Sequence, residues 1–107
     1  MAEPTAKVWA LHDRLDTVAT ITITDSDFPW LSGRFDPKPG FDKYRSLFDA
    51  ELAATEGEDW DEADRLYHAI REELRLTYPE GGNVPEFLLH VHGDKAWFRW
   101  SDEPFDS

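Results

Sequence analysis

Residues 86–100 read Glu-Phe-Leu-Leu-His-Val-His-Gly-Asp-Lys-Ala-Trp-Phe-Arg-Trp, and this stretch decides the fold. Two apolar runs flank the dipeptide Gly93-Asp94. Glycine at the first central position is what a two-residue type II′ turn requires, so the stretch predicts a β-hairpin. The turn also fixes which residues lie opposite one another. The predicted pairs are His92–Lys95, Val91–Ala96, His90–Trp97, Leu89–Phe98, Leu88–Arg99 and Phe87–Trp100.

The two faces of this hairpin differ in polarity, because side chains alternate along a strand. One face is apolar and is predicted to lie in the core; it carries Phe87, Leu89, Val91, Ala96, Phe98 and Trp100. The other face is mixed and carries Leu88, His90, His92, Lys95, Trp97 and Arg99. Tryptophan and arginine are enriched at interface hot spots, and contiguous exposed apolar groups tend to be contact surfaces. We therefore expect an interaction face centred on Leu88, His90, Trp97 and Arg99.

The composition is that of one acidic domain. The 107 residues predict a single domain over the whole of 1–107. A formal net charge of −12 disfavours binding to nucleic-acid phosphates. The lack of cysteine excludes disulfides and thiolate metal sites and fits a reducing compartment. Neither a signal-peptide pattern nor a run of membrane-spanning length is present, so we expect a cytoplasmic protein without membrane or nucleic-acid partners.

The remaining segments predict the other elements of the fold. Residues 7–12, 17–24 and 75–78 are strand candidates, while residues 41–56 and 59–74 show helical spacing of apolar residues. The apolar stripes are Phe41, Tyr44, Leu47, Phe48 and Leu52 in the first helix and Trp60, Ala63, Tyr67, Ile70 and Leu74 in the second. The order β-β-α-α-β-β-β predicts an α+β fold. Its core is a single antiparallel sheet of about five strands with two helices packed on one face.

Residues 25–40 contain three prolines and two glycines, which predicts a long loop. The segment is also rich in aromatic residues, and large aromatics are normally buried. We therefore expect it to form a lid over one face of the sheet, and a binding loop is the alternative. Near the other end of the chain, Phe105 is expected to anchor a polar, acidic tail.

Two segments carry a resemblance to a known group of proteins. They are residues 27–35, Asp-Phe-Pro-Trp-Leu-Ser-Gly-Arg-Phe, and residues 86–105, which end Ala-Trp-Phe-Arg-Trp-Ser-Asp-Glu-Pro-Phe. Both resemble small proteins of high-GC Gram-positive, actinobacterial-type bacteria, and the similarity runs along most of the chain. That group has no assigned activity. The resemblance therefore implies a bacterial cytoplasmic origin and transfers no site residue.

His90 and His92 are the candidate metal ligands. They lie two positions apart on one strand face, so both imidazoles could reach one ion. A third ligand would be needed, and His12 and His68 are the available histidines. The structural alternative is that His90 packs across the strands on Trp97 while His92 is solvated near the turn.

Catalytic motifs are absent from the sequence. There is no cysteine and no Gly-x-Ser-x-Gly elbow. Asp59, Asp61 and Asp64 lack the glycine that a calcium-binding EF-hand loop needs, and they are interpreted as the start of a helix. A spatial pair of carboxylates for acid–base chemistry stays open, because such a pair leaves no sequence signature.

Three functions follow from these patterns, in order of preference. The first is a non-catalytic protein-interaction module or a homodimer that uses the mixed hairpin face, with no cofactor. The second is a metal-binding protein or metal-dependent enzyme that uses His90 and His92. The third is an acidic DNA mimic or an inhibitor of a basic protein, since the chain is strongly acidic.

Overall fold

The computed structural model describes residues 7–27 and 29–103. Its strands and helices are β1 (Val8–His12), β2 (Thr17–Asp27), β3 (Trp30–Pro37), α1 (Asp42–Glu56), α2 (Trp60–Glu73), β4 (Arg75–Thr77), β5 (Glu86–His92) and β6 (Lys95–Ser101). A short 3-10 turn, Pro39–Phe41, leads into α1. The predicted anchoring role of Phe105 lies outside the described residues.

The six strands form one antiparallel sheet in the order β4-β1-β2-β3-β6-β5. The predicted α+β class, the single antiparallel sheet and the two helices are therefore confirmed. The sheet has six strands, whereas about five were predicted. The additional strand is β3, which lies near the middle of the sheet. The hairpin predicted from residues 86–100 forms its β5–β6 edge.

The prediction of a long loop over residues 25–40 was wrong, because β3 and the end of β2 occupy most of it. The glycine and prolines that suggested a loop have other roles there. Pro37 ends the strand, and Gly33 lies where β2 carries a bulge between Ile23 and Asp25. A Cβ at Gly33 would lie 2.1 Å from the Thr22 carbonyl oxygen, so the two backbones approach too closely for any side chain. Glycine here marks close backbone packing within a strand.

The predicted register of the β5–β6 hairpin is confirmed at all six pairs, from His92–Lys95 to Phe87–Trp100. Gly93 has a φ of 62° and Asp94 does not have a positive φ, as a type II′ turn requires. The apolar face is also in the core as predicted. Phe87, Leu89, Val91, Ala96 and Phe98 are buried, and Trp100 is partly buried against them.

The sheet is curled around this apolar inner face. Trp9 of β1 and Trp100 of β6 are three strand spacings apart, about 14 Å along a flat sheet, yet their ring centroids are 5.5 Å apart. The inner face carries the buried residues Trp9, Leu11, Ala19, Ile21, Phe35, Leu76, Phe87, Leu89, Val91, Ala96 and Phe98. The opposite side of the sheet, here the outer face, includes the mixed side of the hairpin.

Both helices contribute to the core on the inner face. Phe41, which precedes α1, contacts Phe35 with ring centroids 4.8 Å apart, and Phe48 of α1 packs on Phe41. Ile70 of α2 belongs to the same buried cluster, and the guanidinium of Arg71 lies 4.5 Å from the Phe87 ring centroid. Within residues 7–27 and 29–103, no helix combines the length and the apolar character needed to cross a bilayer.

Asp13 joins the β1–β2 turn to the start of α1. Its carboxylate accepts hydrogen bonds from the backbone N–H groups of Leu15 and Asp16 at 2.8 Å and from the Tyr44 hydroxyl at 3.0 Å. The Lys43 ammonium lies 3.6 Å from the same carboxylate. The backbone N–H of Asp16, followed by that of Leu15, lowers the pKa of Asp13 to about 2.

We expect Asp13 to stabilise the fold at neutral pH and to lose this contribution in acid. Its folded pKa lies below the unfolded value of about 4, so its contribution is complete above that value and is lost as the pH falls towards 2. Asp13→Asn keeps an oxygen for the backbone N–H groups but removes the charge. Thermal unfolding would be followed from pH 7 to pH 2. The Tm of wild type should exceed that of the variant by a large margin at neutral pH, and this margin should shrink in acid. A difference in Tm that stayed constant across this pH range would contradict the stated role of Asp13.

Candidate functional site

The structure places the predicted interaction residues on the outer face of the β5–β6 hairpin, but with different exposure. Leu88 and Trp97 are half-buried and Arg99 is exposed. His90 is buried, with 5% of its surface exposed, although it lies on the mixed face. The alternative interpretation of the histidines, cross-strand packing of His90 on Trp97 with His92 exposed near the turn, is what the geometry shows.

His90 is buried because α1 lies alongside β5, the edge strand of the sheet. Its Nδ1 is 2.9 Å from Oε1 of Glu51, a residue of α1 that is itself only 2% exposed. The Thr55 hydroxyl, one helical turn further on, donates to Oε2 of Glu51 at 3.0 Å. The carboxylate thus accepts bonds at both oxygens, which fixes its orientation and that of the imidazole.

Two tryptophans complete the surroundings of the imidazole. The Trp30 ring of β3 is nearly parallel to it, with centroids 5.9 Å apart and an interplanar angle of 19°. The Trp97 ring of β6 lies 5.6 Å away at 39°. His90 is therefore held by a carboxylate on one side and by indole rings across the sheet, an arrangement that allows it little freedom to rotate.

A cavity of about 300 Å³ opens beside this histidine, between the edge strand and the two helices. Its walls are mostly apolar and are formed by Glu51, Thr55, Trp60, Ala63, Asp64, Tyr67, Leu88 and His90. Nδ1 of His90 is bonded to Glu51, whereas Nε2 makes no hydrogen bond with the described residues. The Nε2 nitrogen is therefore the ring atom available to a ligand in the cavity.

Trp60 lies at the cavity with 60% of its surface exposed. The sequence assigned it to the apolar stripe of the second helix, but it is the first residue of α2 and extends past the core. Ala63 and Ile70 of the stripe are buried as predicted. An exposed tryptophan at the start of a helix is a costly surface feature, because large apolar side chains gain most from burial.

Tyr67 forms another part of the wall and is held by a carboxylate. Its hydroxyl donates to Oε1 of Glu86, and the Arg71 guanidinium lies 3.3 Å from the same oxygen. Burial, followed by the hydrogen bond to Glu86, raises the pKa of Tyr67 well above its usual range. The phenol therefore stays protonated and serves as a fixed wall of the cavity.

The structure does not gather the histidines into one cluster. His12 is hydrogen-bonded to Thr17 and Thr77 at 2.9 Å each, and His68 lies 3.5 Å from Asp64. Across residues 7–27 and 29–103, no three His, Cys, Asp or Glu side chains are placed to hold a metal ion together. A metal at His90 and His92 stays a prediction, and it would need further ligands from outside this set.

Sequence reasoning missed three residues of the site. Glu51 had a detectable signal, since it falls between Phe48 and Leu52 on the apolar stripe of the helix, where a carboxylate needs a partner. Trp30 was missed because its strand was assigned to a loop. Thr55 had no signal of its own, because a threonine near the end of a helix is common.

The fold and the site together define a class: an α+β protein with a curled, six-stranded antiparallel sheet and a histidine-centred cavity at its helix-covered edge. Comparison with protein-family models, with curated proteins and with solved structures found no match.

Proposed function

We propose that this chain is a non-catalytic protein-interaction module. Its contact surface is the cavity beside His90 with the residues around it, Trp60, Leu88, Trp97 and Arg99, which together are called the Trp60 surface. The observation that carries the proposal is Trp60, a tryptophan that is 60% exposed at the opening of a mostly apolar cavity. A partner side chain that entered the cavity would bury both the Trp60 ring and the apolar cavity walls.

The surroundings of Trp60 support an interface. Half-buried Leu88 and Trp97 and exposed Arg99 lie on the neighbouring sheet face, and these residue types are typical of hot spots that are surrounded by water-excluding contacts. The buried polar groups hold one another in place, as the bonds from His90 and Thr55 to Glu51 show. A rigid, preformed surface lowers the entropy that binding must overcome.

The cytoplasm of a high-GC Gram-positive bacterium is the proposed setting. The lack of cysteine in 107 residues supports a reducing compartment, and the resemblance of residues 27–35 and 86–105 supports the source. Lysate of such an organism is therefore the material in which to search for the partner.

We expect loss of Trp60 or Trp97 to weaken partner binding without unfolding the chain. Tagged wild type, Trp60→Ala and Trp97→Ala would be used for capture from lysate, with quantitative mass spectrometry of the bound proteins. Truncation of a hot-spot tryptophan reduces affinity by about 30-fold or more. Leu15→Ala is the matched control, since Leu15 is 83% exposed in the β1–β2 turn.

The outcomes separate the possible partners. A protein bound by wild type and Leu15→Ala but lost with both tryptophan variants supports the proposal. If sedimentation of the purified chain shows a dimer that Trp60→Ala dissociates, the partner is a second copy. Equal capture by all four forms would contradict the proposal, and so would unfolding of Trp97→Ala together with unchanged capture by Trp60→Ala.

A further inference from the structure

A buried carboxylate, that of Glu51, forms part of the cavity lining. Glu51 is 2% exposed and accepts hydrogen bonds from His90 Nδ1 and from Thr55. Because Nδ1 is bonded to this carboxylate, Nε2 is the imidazole nitrogen left for a ligand in the cavity. Within the described part of the chain, the cavity lining includes no lysine or arginine. A buried carboxylate without a cation is costly, so the site is complementary to a positively charged donor.

The segment on either side of Trp60, which lines the cavity, is acidic as well. Six of the nine residues from 56 to 64 are Asp or Glu, and Trp60 lies in the middle of this run. Glu62 is paired with Arg65, and Asp64 lies near His68. The other four, Glu56, Glu58, Asp59 and Asp61, make no ion pair with the described residues. The field at the entrance therefore attracts a cation and repels an anion.

The walls suit the apolar part of such a ligand. Trp60 and Tyr67 present aromatic rings, and Leu88 and Ala63 present aliphatic groups. A cation near the face of an indole or phenol ring is attracted by the ring quadrupole, and a long alkyl stem packs well on apolar walls. Lysine and arginine combine both features in one side chain.

We propose that the cavity takes a lysine or arginine side chain from a basic segment of a partner protein. The stem packs between Trp60 and Leu88, and the charged group donates a hydrogen bond to Nε2 of His90. This inference rests on the proposed function and specifies the chemistry of the partner. A second copy of the chain is a poor occupant, because two molecules with a net charge of −12 and an acidic rim repel each other.

The first test uses small probes with ¹⁵N-labelled protein at constant ionic strength. n-Butylammonium and n-butylguanidinium carry the proposed charge, whereas n-butanol has the same alkyl stem without it. Saturable shifts of the Trp60 indole N–H and the Leu88 amide are expected with the cations, with affinity about tenfold higher than for n-butanol. Equal affinity for n-butanol, or the absence of saturable shifts at these two residues, would overturn the inference.

Glu51→Gln is the diagnostic variant, because it removes the charge and keeps a side chain that can hydrogen-bond to His90 and Thr55. The variant should retain the fold and lose the preference for the cations over n-butanol. Glu72→Gln, at an exposed acid near the end of α2, is the matched control and should keep the preference. An unchanged preference in Glu51→Gln would show that the buried carboxylate does not select the cation, and it would overturn the inference.

Two further probes identify the source of the cation and keep this inference distinct from the proposed function. A short capped peptide with one lysine should bind more tightly than n-butylammonium, whereas tighter binding of spermidine than of the peptide would point to a free polyamine and overturn the choice of a protein partner. If no cation is preferred while capture still depends on Trp60, the inference fails and the interaction module stands. If cations bind but capture does not depend on Trp60, the proposed function fails.

Discussion

Replacing Gly33 by alanine should be the most damaging glycine-to-alanine change, because the added Cβ at Gly33 meets backbone atoms closer than 3.0 Å. The added Cβ would lie 2.1 Å from the carbonyl oxygen and 2.7 Å from the carbonyl carbon of Thr22 on the neighbouring strand. Both atoms belong to the backbone, so β2 and β3 must separate in the middle of the sheet. We expect the free energy of unfolding to fall by about 3 kcal/mol or more, as measured by urea denaturation.

Gly40→Ala is the control for this prediction. A Cβ at Gly40 would lie 3.4 Å from a side-chain carbon of Val18, close to ordinary contact, and Gly40 has no positive φ. Gly40→Ala should change the free energy of unfolding by no more than about 1 kcal/mol. Similar denaturation midpoints for Gly33→Ala and wild type would show that the two strands do not approach as closely as described.

The second large effect is expected at the buried pair of the site. Glu51→Ala leaves Nδ1 of His90 and the Thr55 hydroxyl without their common acceptor and opens a space in the interior. Each buried donor left without an acceptor typically costs about 1–3 kcal/mol, and the opened space adds to this loss, so the total is a large share of the stability of a small domain. Urea denaturation monitored by tryptophan fluorescence would measure the loss.

A double variant separates the pair from the packing around it. Glu51→Leu with His90→Phe replaces both polar groups by apolar groups of similar size, which is often neutral or stabilising. We expect the double variant to be more stable than Glu51→Ala and to lose the preference for cationic probes. If Glu51→Ala were as stable as wild type, the carboxylate would be hydrated rather than buried, and the description of the site would be wrong.

Much of the fold was predictable from local patterns. The hairpin register followed from the Gly93-Asp94 turn and strict alternation, because a slip of one residue would move the apolar set out of the core. Both helices followed from apolar spacing, with bounds within one residue of residues 41–56 and 59–74. In these segments, the local pattern and the tertiary environment favour the same structure.

The rest depended on contacts between distant segments. β3 was missed because Gly33 and the nearby prolines are typical of a loop. The close approach of Thr22, which requires glycine at position 33, arises only when β2 and β3 pair in the folded sheet. The site was only half predictable for a related reason. Leu88 and Trp97 lie on the predicted face, but the burial of His90 depends on Glu51, which is 39 residues away on α1. Sequence spacing gave no indication of that contact.

Footprinting of the complex tests most directly whether the Trp60 surface receives a partner side chain. The complex isolated by capture and the free chain would be exposed to hydroxyl radicals, with oxidation of each residue measured by mass spectrometry. We predict that Trp60 and Tyr67 become protected in the complex, while exposed Leu15 reacts equally in both. Unchanged oxidation of Trp60, with protection at another surface, would contradict the account.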